Sequence, residues 1–232
     1  MNYYPLALPF FFILLGALAG LLVMVEIGVL RYTYERIGIH PRYVFALLLV
    51  SLLGAYINIP VAHLPPHQVL SGREVDFFGM RYVIPVVVHW PGTVIAVNVG
   101  GALVPTAVSL YLLVRNHLWG LGLIGVAIVT AVCHGLAHPV PGVGIAVPVF
   151  VPPLVTAAVA ILLSRRYAAP LAYISGSLGT LIGADLLNLD KLQGLGAPVA
   201  SIGGAGTFDG VFLTGILAVL LAGLVVGRAP VN

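Results

Sequence analysis

Charge is what this sequence has least of. Only 7% of its 232 residues are Asp, Glu, Lys or Arg, against roughly 25% in an ordinary soluble domain. That shortage excludes a conventional soluble fold, because water could not solvate the resulting surface. No run of Lys and Arg is long enough to hold nucleic acid, so the formal charge of +3 carries topology rather than a binding patch. Cysteine is nearly absent too. Cys133 stands alone, which excludes a disulfide within the chain and leaves the redox compartment open. G-x-S-x-G, P-loop, dinucleotide-fingerprint and CxxC patterns are all missing. The N-terminal apolar run lacks a basic flank and a small-residue cleavage site and is too long for a signal-peptide core, so it reads as a first span.

What the chain does have is apolar length. Hydrophobic residues make up 60%, and the mean hydropathy is +1.12. A spanning helix needs about 20 apolar residues, and in lipid it satisfies its own backbone. The pattern predicts an all-α polytopic protein of the cell membrane, one domain over 1–232 with seven transmembrane helices. The expected spans are Leu6–Leu30, Val44–Pro60, Ile95–Val114, Trp119–His138, Ile145–Leu163, Pro170–Leu189 and Phe208–Val226. Residues 61–94 form an outer loop whose β-branched and aromatic segments flank Gly79 and Pro91-Gly92, the pattern of a β-hairpin or a re-entrant insertion. Pro152-Pro153, read as lying inside span 5, is expected to free backbone groups there.

Seven arginines (Arg31, Arg36, Arg42, Arg115, Arg165, Arg166, Arg228) fall on one side of this arrangement, and Arg73, Arg81 and Lys191 on the other. The positive-inside rule puts the first set in the cytoplasm, with the N-terminus outside and the C-terminus inside. A weak parallel repeat relates 42–115 to 166–228. It matches Gly92-Thr93 with Gly206-Thr207, and Asn98 with Asp209.

Parity of the spans collects His89, Asn98, His134, His138, Asp185 and Asp209 at the outer face, where ionisable groups mark function. Asp185 ends span 6 within Gly183-Ala184-Asp185-Leu186-Leu187-Asn188, and Asp209 opens span 7 after a glycine run that includes Gly204 and Gly206 and is followed by Gly210. Two carboxylates close together in a low dielectric share a proton, so one can act as base on water and the other as acid. The bland alternative is that both cap helix ends. His134 and His138, four residues apart, would share a helix face and could hold zinc, with Asp209 or Asp185 as a third ligand. Against this stands a pair of interfacial histidines bonded to carbonyls or water. Asn98, His89, Asn188 and Gly204, Gly206 and Gly210 complete the candidate site. Ser175, Ser177 and Thr180, with Gly176 and Gly179, give span 6 a small face suited to close packing.

The paired aspartates on consecutive spans distantly resemble the GxGD-type intramembrane aspartyl proteases, from which the chain departs because Thr207 and Phe208 intervene before Asp209. Phe208-Asp209-Gly210 resembles the ligand segment of site-2-type metalloproteases, although Gly135 stands where those carry a catalytic Glu. The HxxxH-plus-Asp set is similar to that of ceramidase-type zinc amidases. Through Gly183–Leu189 and Gly203–Gly215 the chain as a whole resembles a prokaryotic multi-span family known only as a domain of unknown function, which implies a membrane location and no established activity.

The resulting expectation is a membrane-embedded hydrolase acting on a membrane or lipid substrate, through a diaspartyl pair or a His/Asp zinc centre. Two rivals stand beside it: a small-solute or ion transporter with broken helices, and a scaffold that binds a partner through the outer hairpin. The oligomeric state is open.

Overall fold

The long apolar runs become helices, and the places where β-branched residues and glycine collect become strands and helix irregularities. The computed structural model describes residues 27–65, 67–77, 80–90, 92–140, 144–192, 198–204 and 210–226. Seven helices occur among them: α1 over 27–36, α2 Pro41–Gly54, α3 Val104–Arg115, α4 Trp119–Leu136, α5 Val151–Leu163, α6 Ala168–Thr180 and α7 Gly210–Val226. A five-residue π segment, Val99–Leu103, leads into α3, and another, Leu181–Asp185, continues α6 into a 3-10 stretch, Leu186–Leu192. Two helical runs are long and apolar enough to cross a membrane, Trp119–Leu136 and the continuous Ala168–Leu192, while the other four measured helices are shorter.

Seven strands accompany the helices. β1 (Asn58–His63), β4 (Val94–Asn98) and β7 (Val199–Ile202) form a sheet of order β1-β4-β7. β1 and β4 run antiparallel, whereas β4 and β7 pair in parallel with Val94 opposite Val199 and Val97 opposite Ile202. Of the two forms expected for the 61–94 insertion, a hairpin is found: β2 (His67–Phe77) pairs antiparallel with β3 (Met80–Trp90) throughout. Its two stems meet where the Leu64 N–H donates to Thr93 O at 2.8 Å. Gly92 makes that approach possible, since its φ is +110° and a Cβ there would lie 2.4 Å from Leu64 O. β5 (His138–Val140) and β6 (Gly144–Ala146) form a smaller hairpin.

Several expected boundaries move, each for a local reason. Span 3 does not begin as a helix at Ile95, because β-branched Val94, Ile95 and Val97 lie in β4 and helical backbone starts only at Val99. Span 4 stops at Leu136, and His138, which precedes Pro139, is extended. Span 5 begins at Val151 rather than Ile145. Pro152 and Pro153 therefore sit in the first turn of α5, where no N–H partner is required, and they break nothing. The glycine-rich stretch between spans 6 and 7 contains β7. The β4–β7 register runs to Val97 opposite Ile202, with Asn98 and Gly203 as the next residues along the two strands.

α6 is the axis of the bundle. It packs against α3, α4, α5 and α7, and nearly all its residues are buried. Small residues allow the contact with α4: Ser175, Gly179 and Gly183 recur every four positions against Gly125, Val129, Thr130 and Cys133. The expected small face on span 6 is therefore present as a packing surface. Around this axis the core is largely apolar, yet large apolar side chains also cover the outside and several hydroxyls are buried. Leu162 and Leu224 are 84% and 82% exposed and Phe45 is 70% exposed, while Ser109, Thr156 and Ser175 are fully buried.

The candidate polar site beneath the sheet

The strands, both π segments and the start of α7 converge at one end of the bundle, and Asn98 is the hub. It is the last residue of β4, fully buried and opposite Asn58 in β1. Its Oδ1 accepts the Gly101 N–H at 2.7 Å, capping the π segment, and its Nδ2 donates to Ala55 O at 2.8 Å and Asn58 Oδ1 at 3.1 Å. One side chain thus ties the end of α2, the start of β1 and the entry to α3. Ser201 of β7 joins this network. Its single hydroxyl proton has two acceptors within reach, Asn58 Oδ1 at 2.5 Å and Gly204 O at 2.6 Å.

Backbones cross here with no side chains between them. A Cβ on Gly100 would lie 2.1 Å from Ser51 O, and one on Gly101 would lie 1.9 Å from Gly203 O. Gly203 itself has φ +82° and a virtual Cβ 2.6 Å from Ala102 N, so it is glycine for two reasons.

Asp185 closes the site from the α6 side. It is partly buried, it ends the second π segment, and its Oδ2 accepts the Gly203 N–H at 2.7 Å. This ties α6 to the chain leading into α7. Four residues before it, Leu181 packs with Val211 of α7 and Ala102 in one small buried cluster. Asn188, fully buried, stabilises the irregular helix end: Nδ2 donates to Gly183 O at 2.8 Å and Ala184 O at 2.9 Å, and Lys191 Nζ donates to its Oδ1 at 2.7 Å. Passing from π to 3-10 geometry disturbs the regular carbonyl ladder, and this amide supplies the donors.

The other residues singled out from sequence fall in three places. His134 is exposed in the last turn of α4, and His138 is exposed in β5 opposite Ala146. The expected common helix face is not formed, because the helix ends between them. His89 lies in β3 of the hairpin, across from Gln68. Gly204 follows β7 with φ +75°, Gly210 opens α7, and Asp209 and Gly206 lie outside the described residues. Among the described residues no three His, Cys, Asp or Glu side chains gather as a metal-binding group; of the two carboxylates named as a third zinc ligand, Asp185 is among those residues and Asp209 is not. Sequence reasoning missed Asn58 and Ser201 altogether. Their only signal was to flank apolar, β-branched residues at strand length.

The architecture is that of a mostly helical protein with a helix-encased axis, a small mixed sheet at one end and an outward-facing apolar surface. The chain belongs to the family described as proteins of unknown function DUF1614, whose pattern matches residues 52–221 and so spans the sheet, both π segments and most of α7. No curated protein and no solved structure matches it.

Proposed function

We propose that this is a seven-span integral membrane protein with its N-terminus outside and its C-terminus inside, and that it carries a hydrolytic site formed by Asp185 and Asp209 beneath the sheet. The membrane reading is supported by the apolar outer surface of the bundle. Fully exposing one large apolar side chain forgoes about 1.5–3 kcal/mol, and α2, α4, α5 and α7 each present several outward. The orientation draws support from the arginines. Arg115 Nη1 donates to Gly38 O, joining the α1–α2 turn to the end of α3, and the Arg36 guanidinium carbon would lie 3.9 Å from a Cβ on Gly223 near the end of α7. Arg36, Arg115 and Arg166 each lie over a neighbouring tyrosine ring, at 5.1, 5.7 and 5.5 Å from its centroid. Arginine and tyrosine together suit a headgroup layer. All these contacts belong to the end of the bundle opposite the sheet.

Cysteines at 63 and 117, each in a Cys133→Ala background, test the topology. An impermeant maleimide added to intact cells is expected to label His63→Cys and spare His117→Cys. Labelling of both, or the reverse pattern, rejects the proposed arrangement.

One observation carries the hydrolytic reading: the element bearing Asp185 is packed against the start of α7, through Leu181 and Val211, and is tied to Gly203 by the carboxylate itself. Asp209 immediately precedes α7. In such a pair Asp185, already accepting an N–H, takes the role of base toward water, and Asp209 that of acid toward the leaving group. Asp185→Cys with Asp209→Cys, again without Cys133, is expected to join readily through a short bifunctional reagent. A folded double variant that does not crosslink sinks the pair.

Transport is the second reading, and the structure adds support that the sequence lacked. The bundle contains buried hydroxyls, and π segments stand at the start of α3 and the end of α6, near the site. If the carboxylates fail to crosslink, this reading takes the lead.

A further inference from the structure

Charge is distributed unevenly between the two ends of the bundle. The directions of the helices fix which residues share an end. α4 and α6 lie side by side in the same direction, since Gly125 of α4 borders Ser175, and Gly179 and Gly183 of α6 border Val129 and Thr130. Their starts therefore share one end with the close of α3, which turns into α4, and of α5, which turns into α6. α7 runs the other way, with Gly215 beside Ser177 and Gly223 near Arg36, so its close and the α1–α2 turn lie there too. Among the described residues this end holds Arg31, Arg36, Arg42, Arg115, Arg165 and Arg166, and only one carboxylate, Glu35. Arg31 pairs with Glu35 at 2.8 Å. Arg42, Arg115, Arg165 and Arg166 are exposed and meet no carboxylate among the described residues. At the other end, outside the hairpin, Lys191 stands against Asp185 and Asp190.

Such an excess of guanidinium on one small surface is complementary to an anion. One of the arginines is held ready for it. Arg115 Nη1 donates to Gly38 O and to Tyr111 Oη, which fixes the guanidinium, and its Nε and Nη2 protons have no partner among the described residues. A guanidinium fixed in this way matches a phosphate with two parallel donors. The surroundings decide what carries the phosphate. Tyr32, Tyr43, Tyr111 and Trp119 stand exposed among the arginines, and within about a turn further along the helices Phe45, Leu123 and Leu162 are exposed as well. A soluble polyanion would meet the arginines and leave that apolar border in water. An anionic lipid matches both, with its phosphate against the guanidiniums and its chains along the apolar helix faces. We infer that the arginine end of the bundle binds anionic phospholipid, with Arg42, Arg115, Arg165 and Arg166 taking the headgroup phosphates.

This surface lies at the opposite end of the bundle from Asp185 and the sheet. The inference rests on the membrane reading proposed above. It does not depend on the pairing of Asp185 with Asp209, nor on which way the chain is inserted, so those ideas can fail without it.

Native mass spectrometry of the full detergent-purified chain tests it, with phosphatidylglycerol and phosphatidylcholine of the same acyl chains added at equal mole fractions. The wild type is expected to retain the anionic lipid at least about fivefold over the zwitterionic one, the factor that a single arginine near an anionic surface supplies. Arg42→Gln, Arg165→Gln and Arg166→Gln combined are expected to remove most of that preference. Equal retention of the two lipids by the wild type overturns the inference and leaves the membrane reading standing, and that arm needs no variant to fold. Retention of neither lipid overturns both. An undiminished preference in a folded triple variant overturns the inference too. So does displacement of the lipid by an equal concentration of glycerol 3-phosphate, which has the phosphate without the chains, or by a short DNA duplex.

Discussion

Gly101→Ala should leave little folded protein. The new methyl would lie 1.9 Å from Gly203 O, and Gly203 cannot retreat easily, because its own N–H is held by Asp185 and its Cα already faces Ala102. The obstruction is backbone on both sides, with no flexible side chain to swing away. Overpacking normally costs about 1–3 kcal/mol, and this contact falls at or beyond the upper limit. A thermal melt followed by size-exclusion profile in one detergent measures it. The matched control is Gly135→Ala in α4, where an added Cβ meets nothing within 4 Å. Relief of a helical glycine should leave that variant unchanged or more stable, by up to about 1 kcal/mol. If Gly101→Ala melts with the wild type, the crossing of β7 over the first π segment is wrong.

Asn98 gives the second large effect. Asn98→Ala removes the cap on Gly101 N–H and the donor to Ala55 O, and both backbone groups are then left in a site from which water is excluded. Each orphaned group costs about 1–3 kcal/mol, so a loss of about 3 kcal/mol is expected. Asn98→Asp separates the two roles. Its carboxylate can still accept the Gly101 N–H, but it turns an oxygen toward Ala55 O and Asn58 Oδ1, where an amide donated before. At neutral pH it should be less stable than the alanine variant, since a buried unpaired charge adds to the loss. An aspartate variant as stable as wild type would show that the amide donor contributes nothing.

Much of the helical fold was legible because apolar length is a direct physical signal in a chain this poor in charge. The outer hairpin was legible from its β-branched residues and turn glycines. β7 was not: Val199-Ala200-Ser201-Ile202 is four residues long, lies in a glycine-rich stretch, and takes its partner from a strand more than a hundred residues earlier. Pro152-Pro153 misled because a proline pair reads as a helix breaker until the helix start is known, and here the start is one residue before it. Asn98 and Asn188 were named as supporting residues of the candidate site, and the structure gives them work the sequence could not specify, closing backbone groups freed at the two π segments. The hydroxyls of Ser175 and Ser177 were read only as small, which accounts for how α6 packs.

The parallel pairing of β4 with β7 also sets an order on how the chain can be made. β4 emerges from the ribosome with β1 already available on one edge, but its other edge has no partner until Val199–Ile202 has been synthesised. Through that interval an open strand edge and the unfilled flank of α6 that α7 later covers must be shielded from other chains. The last helix is therefore the one that completes the first half of the molecule. Premature termination before residue 199 would leave a protein that carries six of the seven described helices and is still open at its centre, a ready target for cellular quality control.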